Sequence, residues 1–518
     1  MKTYRTWQPD RNYLLPPATR DWLPEDHLAW TILDVVDELD IGDIESVLQS
    51  TDPRGTRPYQ PRMMIALLLY AYCTGTYSSR GIARATWTDL AFRVIAAEDH
   101  PHFTTINQFR LDHLLALKEL FKQVLKLCQH AGMVALGHVA LDGSKVQANA
   151  SKHKAMSYDR MNETEARLES EIDALMSEAN ATDRKEDVEF GKDGDGVDLP
   201  DEIRRRDVRK TRIQAAKSAL ELEAKAARKA ELTDQADRAA AAAKAESDPA
   251  EAAKLTRRAT AREAAAAQLG DVDTAVIPGS GTGLPFHTVP HERDGTPKPK
   301  AQRNFTDPDS RIMTSNGGYM QAYNVQVVAD EKSQIILAEA VTNQAPDVEH
   351  LPALLDQVQH NTGHYPKQAS VDAGYYSAEN VRFCEENGID AYISTRRRKH
   401  EEPVLNREVE GTEAPAANGK NVAHTPVLDD ADDPPVATAP DPGPREKMEA
   451  KVTSKEGRKV YAKRKWVVEP VFGDIKEARR FRRFSLRGLW KVAAEFSLVC
   501  LAHNLRKLHL ERRRRAIE

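Results

Sequence analysis

The sequence predicts an α/β domain, preceded by an all-α region and interrupted by a helical insertion. Five short apolar runs, at residues 138–142, 323–329, 334–341, 368–372 and 390–394, read as strands, with helical patterns between the later ones. Residues 1–130 read as mostly helical. Residues 151–300, rich in Ala, Glu, Lys and Arg and poor in large apolar side chains, separate the first strand from the other four. A chain of 518 residues has room for two to four domains.

Residues 61–72 form an apolar helix with Pro61 at its start, where a missing N–H costs nothing. A Gly-Thr-Tyr-Ser-Ser turn follows, and Ser79 is expected to cap the next helix. Thr104 opens a further helix whose apolar positions run from Leu111 to Val124. Short helices separated by tight turns suit a helix-turn-helix DNA reader, and equally an ordinary bundle. The strand at 138–142 enters through Gly137 and stops at Asp142. Parts of the insertion are helical on propensity alone, with no sustained heptad. Its last part, residues 278–303, holds five prolines and reads as loop.

The domain then resumes. Residues 323–329 alternate like a half-buried strand, 330–333 turn, and 334–341 return as the second arm of a hairpin. A helix over 345–360 precedes the strand that ends at Asp372. Ser377 caps a helix over 378–387, which Gly388 closes, and a strand over 390–394 follows. Residues 401–450 are rich in Pro, Ala and Asp and read as a linker. Glu469 begins the next helix, and Val492, Phe496, Val499, Leu501, Leu505 and Leu508 mark a buried one after it. The domain division is thus 1–130 (helical, a DNA-binding candidate), then 131–150 with 301–400 and 451–510 (one α/β domain), with 151–300 inserted and 401–450 as linker.

Composition excludes several classes. The longest apolar run, residues 63–73, is too short to span a bilayer, and residues 1–7 have no signal-peptide core. Cys73, Cys128, Cys384 and Cys500 are isolated among apolar neighbours, unlike a zinc site or a disulfide framework. A cytoplasmic protein is the simplest reading. Charge is unevenly spread: residues 451–518 carry 20 Lys and Arg against 7 Asp and Glu, a net of +13 in a chain whose total is −5. That concentration is the footprint of a polyanion partner.

Asp142 and Asp372 both close apolar strands at their carboxyl ends, the edge of an open α/β sheet where sites form. Glu469 starts a helix inside the basic segment. Carboxylates delivered from matching elements suit hard divalent cations, Mg²⁺ above all, with Mn²⁺ as a substitute. Glu469, Gly473, Lys476 and Arg480 fall at helical spacing on one face, so Lys476 and Arg480 would meet phosphates beside the acids.

These motifs resemble those of DDE transposases of bacterial insertion sequences, with an InsH-like N-terminal domain. The resemblance covers residues 1–150, 301–395 and about 451–510. Ala140-Leu-Asp-Gly-Ser-Lys resembles the first-acid motif, Ser370-Val-Asp-Ala-Gly-Tyr the second, and Val468-Glu-Pro-Val-Phe-Gly-Asp-Ile-Lys476 the third. Asp142, Asp372 and Glu469 then inherit the roles of catalytic, metal-holding acids. The family's recurring Tyr, Arg, Glu and Lys match Tyr461, Arg464, Glu469 and Lys476 in type. The gap between Arg464 and Glu469 is one residue longer than the family pattern and Lys465 sits at the expected spacing, so either could grip DNA. Arg480, Arg482, Arg483 and Arg487 complete the expected DNA contacts. Residues 304–311 also look family-like, as residues behind the site or near DNA.

The resemblance implies a ribonuclease H-like fold with a mixed five-stranded sheet. It also implies binding to the inverted repeats of the element, cleavage and strand transfer by in-line phosphoryl transfer, and a homodimer or larger assembly on nucleoid DNA. A DNA-binding protein that has lost catalysis, and a nuclease of the same fold that cuts without rejoining, stay open as alternatives.

Overall fold

Pro61 at the first turn, Gln60 accepting from Arg62 N, and Gly75 at φ +80° delimit an almost wholly buried helix, one of seven that precede the first strand among the described residues. In the computed structural model, which describes residues 18–50, 57–190, 201–315, 318–396 and 443–518, these are α1 (Leu28–Glu38), α2 (Gly42–Gln49), α3 (Pro61–Thr74), α4 (Ser79–Thr88), α5 (Leu90–Ile95), α6 (Phe103–Asp112) and α7 (Leu114–His130). Only glycine suits position 75: a Cβ there would lie 2.7 Å from the Arg479 carbonyl oxygen, besides the positive φ. Two expectations are corrected. The cap of α4 is Ser78, whose side chain accepts from Gly81 N at 3.0 Å. The single helix expected from Thr104 to Val124 is two, because the backbone leaves helical geometry at His113 (φ −109°).

The sheet is mixed and, among the described residues, has six strands, one more than expected. Its strands are β1 (His138–Gln147), β4 (Arg311–Ser315), β5 (Gly318–Asp330), β6 (Ile336–Thr342), β7 (Gln368–Val371) and β8 (Asp390–Ile393). β5 and β6 form the expected antiparallel hairpin, β1 pairs antiparallel with β5, and β7 and β8 follow parallel to β1. The additional β4 pairs with the first half of the 13-residue β5 and β6 with the second half. β5 is buried from Gln321 to Asp330, so its alternation does not mark one wet face. Asn324 and Gln326 spend their polarity on internal hydrogen bonds. Between strands lie α11 (His350–Thr362), shorter than expected at its start, and α12 (Ala378–Glu386), capped by Ser377 as expected.

The insertion leaves and re-enters through a small ribbon, β2 (Ala155–Ser157) against β3 (Gln302–Asn304). Between them run α8 (Tyr158–Phe190), α9 (Asp201–Ala245) and α10 (Pro249–Gln268). Three small apolar clusters, centred on Leu220, Ile213 and Ile277, hold these helices apart from the main core.

Of the expected linker, residues 401–442 lie outside the described residues. The remainder is helical: α13 (Pro444–Thr453) buries Met448 and Val452. Then come α14 (Lys455–Ala462), α15 (Arg464–Val467), α16 (Glu469–Gly473), a π-helical turn (Asp474–Ala478) and α17 (Leu489–Ile517). Among the described residues, no helix is long and apolar enough to cross a membrane.

α17 is the hub. It touches α1, α3 and α7 on one side and β6 on the other, and the N-terminal helices share one apolar core with the sheet. Asn504 acts as a short strand against β6: its side chain accepts from Ile336 N at 2.8 Å and donates to Ile336 O at 2.9 Å. Asn504→Leu would leave both buried backbone groups unpaired. We expect a loss of about 2–4 kcal/mol in a denaturant unfolding experiment. A loss under about 0.5 kcal/mol would show that Asn504 does not anchor β6.

Candidate active site

β1 and β7 run parallel in the register His138↔Gln368, Val139↔Ala369 and Ala140↔Ser370. Asp372 lies one residue past the end of β7, so extending this register by two residues sets it beside Asp142, in the middle of β1. Asp142 shares the face of β1 that carries His138 and Ala140. The hydrogen bond between His138 Nε2 and Ser370 Oγ, 3.0 Å, lies on that same face. The Asp372 carboxylate accepts from Gly374 N at 2.8 Å, capping the turn after β7. Asp142 Oδ1 accepts from Gly143 N at 2.9 Å.

The counter-charge comes from the C-terminal segment. Arg464 Nη2 stands 3.2 Å from Asp142 Oδ2. Arg464 also donates from Nη1 to the Tyr461 hydroxyl at 3.4 Å, while its Nε is buried without a partner. Lys476 Nζ reaches Ser144 Oγ and, at 3.2 Å, the Lys145 carbonyl oxygen. Ser144 shares the Asp142 face, two residues along β1.

The Asp142 carboxyl is nevertheless pushed up to about 6. Burial is the main cause, the Arg464 charge offsets part of it, and repulsion from Asp372 adds to it. Burial works against the Arg464 charge too, but attraction to Asp142, with lesser help from Tyr461 and Asp372, raises its affinity for protons overall. One guanidinium is therefore too little positive charge for this acid pair. Lys476 is lowered, chiefly by burial, with Asp142 opposing.

The other face of β1 carries a second polar layer that sequence reasoning missed. Asp347 Oδ1 accepts from Asn324 Nδ2 and Gln326 Nε2, each at 2.7 Å, and from Lys145 Nζ at 3.3 Å. The Tyr375 hydroxyl donates to Gln326 Oε1. A Cβ at Gly143 would lie 2.4 Å from Gln326 Nε2, so glycine after Asp142 lets this layer close against the strand. Burial, with Asp347 next, raises the Tyr375 phenol well above its usual range, so Tyr375 stays a neutral donor. The available signal was the Asn and Gln at alternate positions of β5.

Glu469 does not join the pair. Its side chain is exposed at the start of α16, and among the described residues it makes no hydrogen bond or ion pair. Nor does any group of three or more His, Cys, Asp or Glu among the described residues stand ready to hold a metal ion. The expected three-acid convergence is thus present only as Asp142 with Asp372. Arg464 supplies the positive charge beside Asp142 that a cation would otherwise bring.

The single helical face expected through Glu469, Gly473, Lys476 and Arg480 is also corrected. The α-helix ends at Gly473, a π turn follows, and Arg480 lies beyond it at φ +59°. The reason is Asp474. It is held by Arg479 Nε at 2.9 Å, His503 Nδ1 at 3.0 Å and Arg506 at 3.5 Å, which pins the turn to α17. Burial penalises its charge, but those partners win and hold the carboxyl well below its usual range. Arg479 is fully buried and donates to Val499 O.

The other expected DNA contacts scatter by environment. Arg464 is largely buried and Lys465 is exposed. Arg480 is exposed, and Arg482 is tied to Glu477 and to the Lys476 carbonyl. Arg483 donates to Asn149 Oδ1 at 3.3 Å and Arg487 to Asn149 O at 3.0 Å, so both lie along the continuation of β1. The segment 304–311 is structural support: Asp307 Oδ1 accepts from Tyr323 OH and Gly488 N, and Asp309 from Leu489 N, fixing the start of α17.

No curated protein and no solved structure matched the chain. Two domain families did. Residues 17–112 match a family described as "Transposase domain (DUF772)", and residues 267–505 match the "Transposase DDE domain". The second match contains Asp372 and Glu469 but not Asp142, which the insertion separates from it and which β1 restores by pairing with β7. With an N-terminal transposase domain and a DDE domain in one polypeptide, the chain is identified as a DDE transposase of the insertion-sequence type.

Proposed function

We propose that this protein binds the ends of its own mobile element, cuts them and joins them to target DNA. The reading rests most on the Asp142–Asp372 pair, where the carboxyl end of β7 meets the middle of its parallel neighbour β1, and which is short of positive charge. The order β6-β5-β1-β7-β8, antiparallel then parallel, supports a ribonuclease H-like sheet with β4 as an addition.

The donor set fits a divalent cation. Two carboxylates offer hard oxygen ligands, and the raised pKa of Asp142 marks a place where added positive charge is favourable. Asp142 and Asp372 would hold Mg²⁺ or Mn²⁺, which would supply Lewis-acid activation of the attacking and leaving oxygens. Glu469 is the proposed third acid, reaching the pair through a movement of α16 when DNA binds.

The chain's own groups position the reactants. Lys476 on the acid face, and Arg483 and Arg487 beside Asn149, meet phosphate oxygens and align the scissile bond. In the first step a water oxygen attacks phosphorus, the bond to the 3′ oxygen breaks, and that oxygen leaves as a 3′-hydroxyl. In the second, the same hydroxyl attacks a target phosphodiester and displaces its 3′ oxygen. Two ends must meet for joining, so the working form is a homodimer or larger assembly on DNA.

Asp142→Asn, Asp372→Asn and Glu469→Gln should each lower Mg²⁺-dependent nicking of an element end by at least about 100-fold. Duplex affinity should stay within about threefold of the parent, a difference under about 1 kcal/mol. Nicking at the parental rate by either Asp variant would overturn the site, and by the Glu variant would remove Glu469 from it.

Asp142 also makes stability depend on pH. The folded chain holds this proton at about 6, while the unfolded carboxyl titrates near 3.8. The stabilisation is therefore full below about pH 4 and is lost as pH rises through about 6. Asp142→Asn abolishes the titration. Without divalent ions, the parent should lose on the order of 2–3 kcal/mol relative to this variant between about pH 4 and pH 8. A difference that stays constant in urea unfolding across that range would contradict the assignment.

A further inference from the structure

A second cationic surface lies away from the acid pair, between α9 and the β2–β3 ribbon. We propose that this groove holds the phosphate backbone of duplex DNA beyond the cut. The proposal deepens the transposase reading and rests on it. The groove encloses about 870 Å³ and no Asp or Glu lines it. Lys154 and Arg160 face it from the ribbon and the start of α8, and Arg205, Arg209 and Arg212 from α9.

The cations of α9 are sorted by face. Arg206, Lys210 and Lys217 pair with Glu171, Glu169 and Glu165 of α8, at 3.0, 2.9 and 2.9 Å. The face toward the groove has no such acids. Among the described residues Arg205, Arg209, Arg212, Arg160 and Lys154 make no side-chain ion pair, and all are exposed. Like charges at helical spacing repel, so this face is stabilised by an anion from outside the chain. Arg205, Arg209 and Arg212 span about 10 Å along the helix axis. That length matches about three base pairs of a duplex, at 3.4 Å each. A rod-like polyanion with regular charge fits the row better than a single small anion does.

The route from the acids to the groove follows the chain. Lys154 follows Asp142 by only twelve positions, a reach of at most about 40 Å. Arg483 and Arg487 hold Asn149 midway. A duplex cut at the acid pair would therefore cross the groove within about 12 base pairs.

The test measures binding of the full chain to a 40-base-pair B-form duplex of arbitrary sequence by fluorescence anisotropy, across a NaCl series. The variant R205Q/R209Q/R212Q removes three exposed charges. R257Q/R258Q/R262Q removes three from α10, outside the groove, and serves as the control. The groove variant should weaken binding at least about tenfold near 0.1 M salt, and its slope of log affinity against log salt should be shallower by about 2–3. A second variant, K154Q/R160Q, should act in the same direction from the opposite wall. Affinity and slope equal to those of the parent or the α10 control would overturn the proposal, as would a parent that does not bind duplex. The two readings fail separately. Unchanged slopes alongside Asp142→Asn protein that cannot nick would remove the groove alone. Reduced slopes in a parent that never nicks would leave the groove and remove the nuclease.

Discussion

Two carboxylates cannot both stay charged side by side at a half-buried site without positive charge between or beside them. Parallel pairing of β1 with β7 brings Asp142 close enough to Asp372, just past the end of β7, for the charge of one to act on the other, and the rest of the site follows from it. Arg464 comes from a segment more than three hundred residues away in sequence and neutralises part of the charge, yet Asp142 still favours its proton to about pH 6. The pair is stable enough to fold and electrostatically incomplete, a state that an added cation relieves. Such residual strain belongs at sites that bind charge rather than at structural ion pairs. Asp474, satisfied by Arg479, His503 and Arg506, is the structural counterpart in the same segment, with its carboxyl held low.

Delivery of Arg464 and Lys476 depends on α17. That helix is buried along most of its first twenty residues, pairs with β6 through Asn504, and holds the π turn through His503 and the Val499 carbonyl. The N-terminal helices pack on its other side, so the acid site and the N-terminal domain share one core. The insertion contrasts with this. It has three small clusters of its own and joins the sheet through a short ribbon and a few polar contacts, among them Glu223 with Arg311 of β4 and the Pro285 carbonyl with Thr342 of β6.

Strands were legible where apolar runs ended in an acid or a turn, and five were placed correctly. β4 was not, because Arg311-Ile-Met-Thr-Ser alternates weakly and gains its order from pairing with β5. Asp372 was legible as a strand end, but the expected end at Asp142 is corrected: β1 runs on to Gln147, because its second half pairs with β5. Asp347 was not legible, since it falls in the first turn of the helix expected over 345–360, whereas α11 starts only at His350 and Asn324 and Gln326 hold Asp347. The placement of Arg480 on the face of Glu469 failed for a physical reason. Spacing arguments assume an unbroken α-helix, and Asp474 pulls the chain into a π turn that rotates everything after it.

The central claim is that Asp142 and Asp372 form one electrostatic unit. It is tested most directly by following the ¹³C carboxylate resonance of Asp142 against pH, in the ion-free parent and in Asp372→Asn. The account predicts a parental midpoint near 6 that moves toward the ordinary carboxylate range when Asp372 is neutralised. A midpoint already near 3.8 in the parent, or one near 6 that ignores the loss of Asp372, would contradict it.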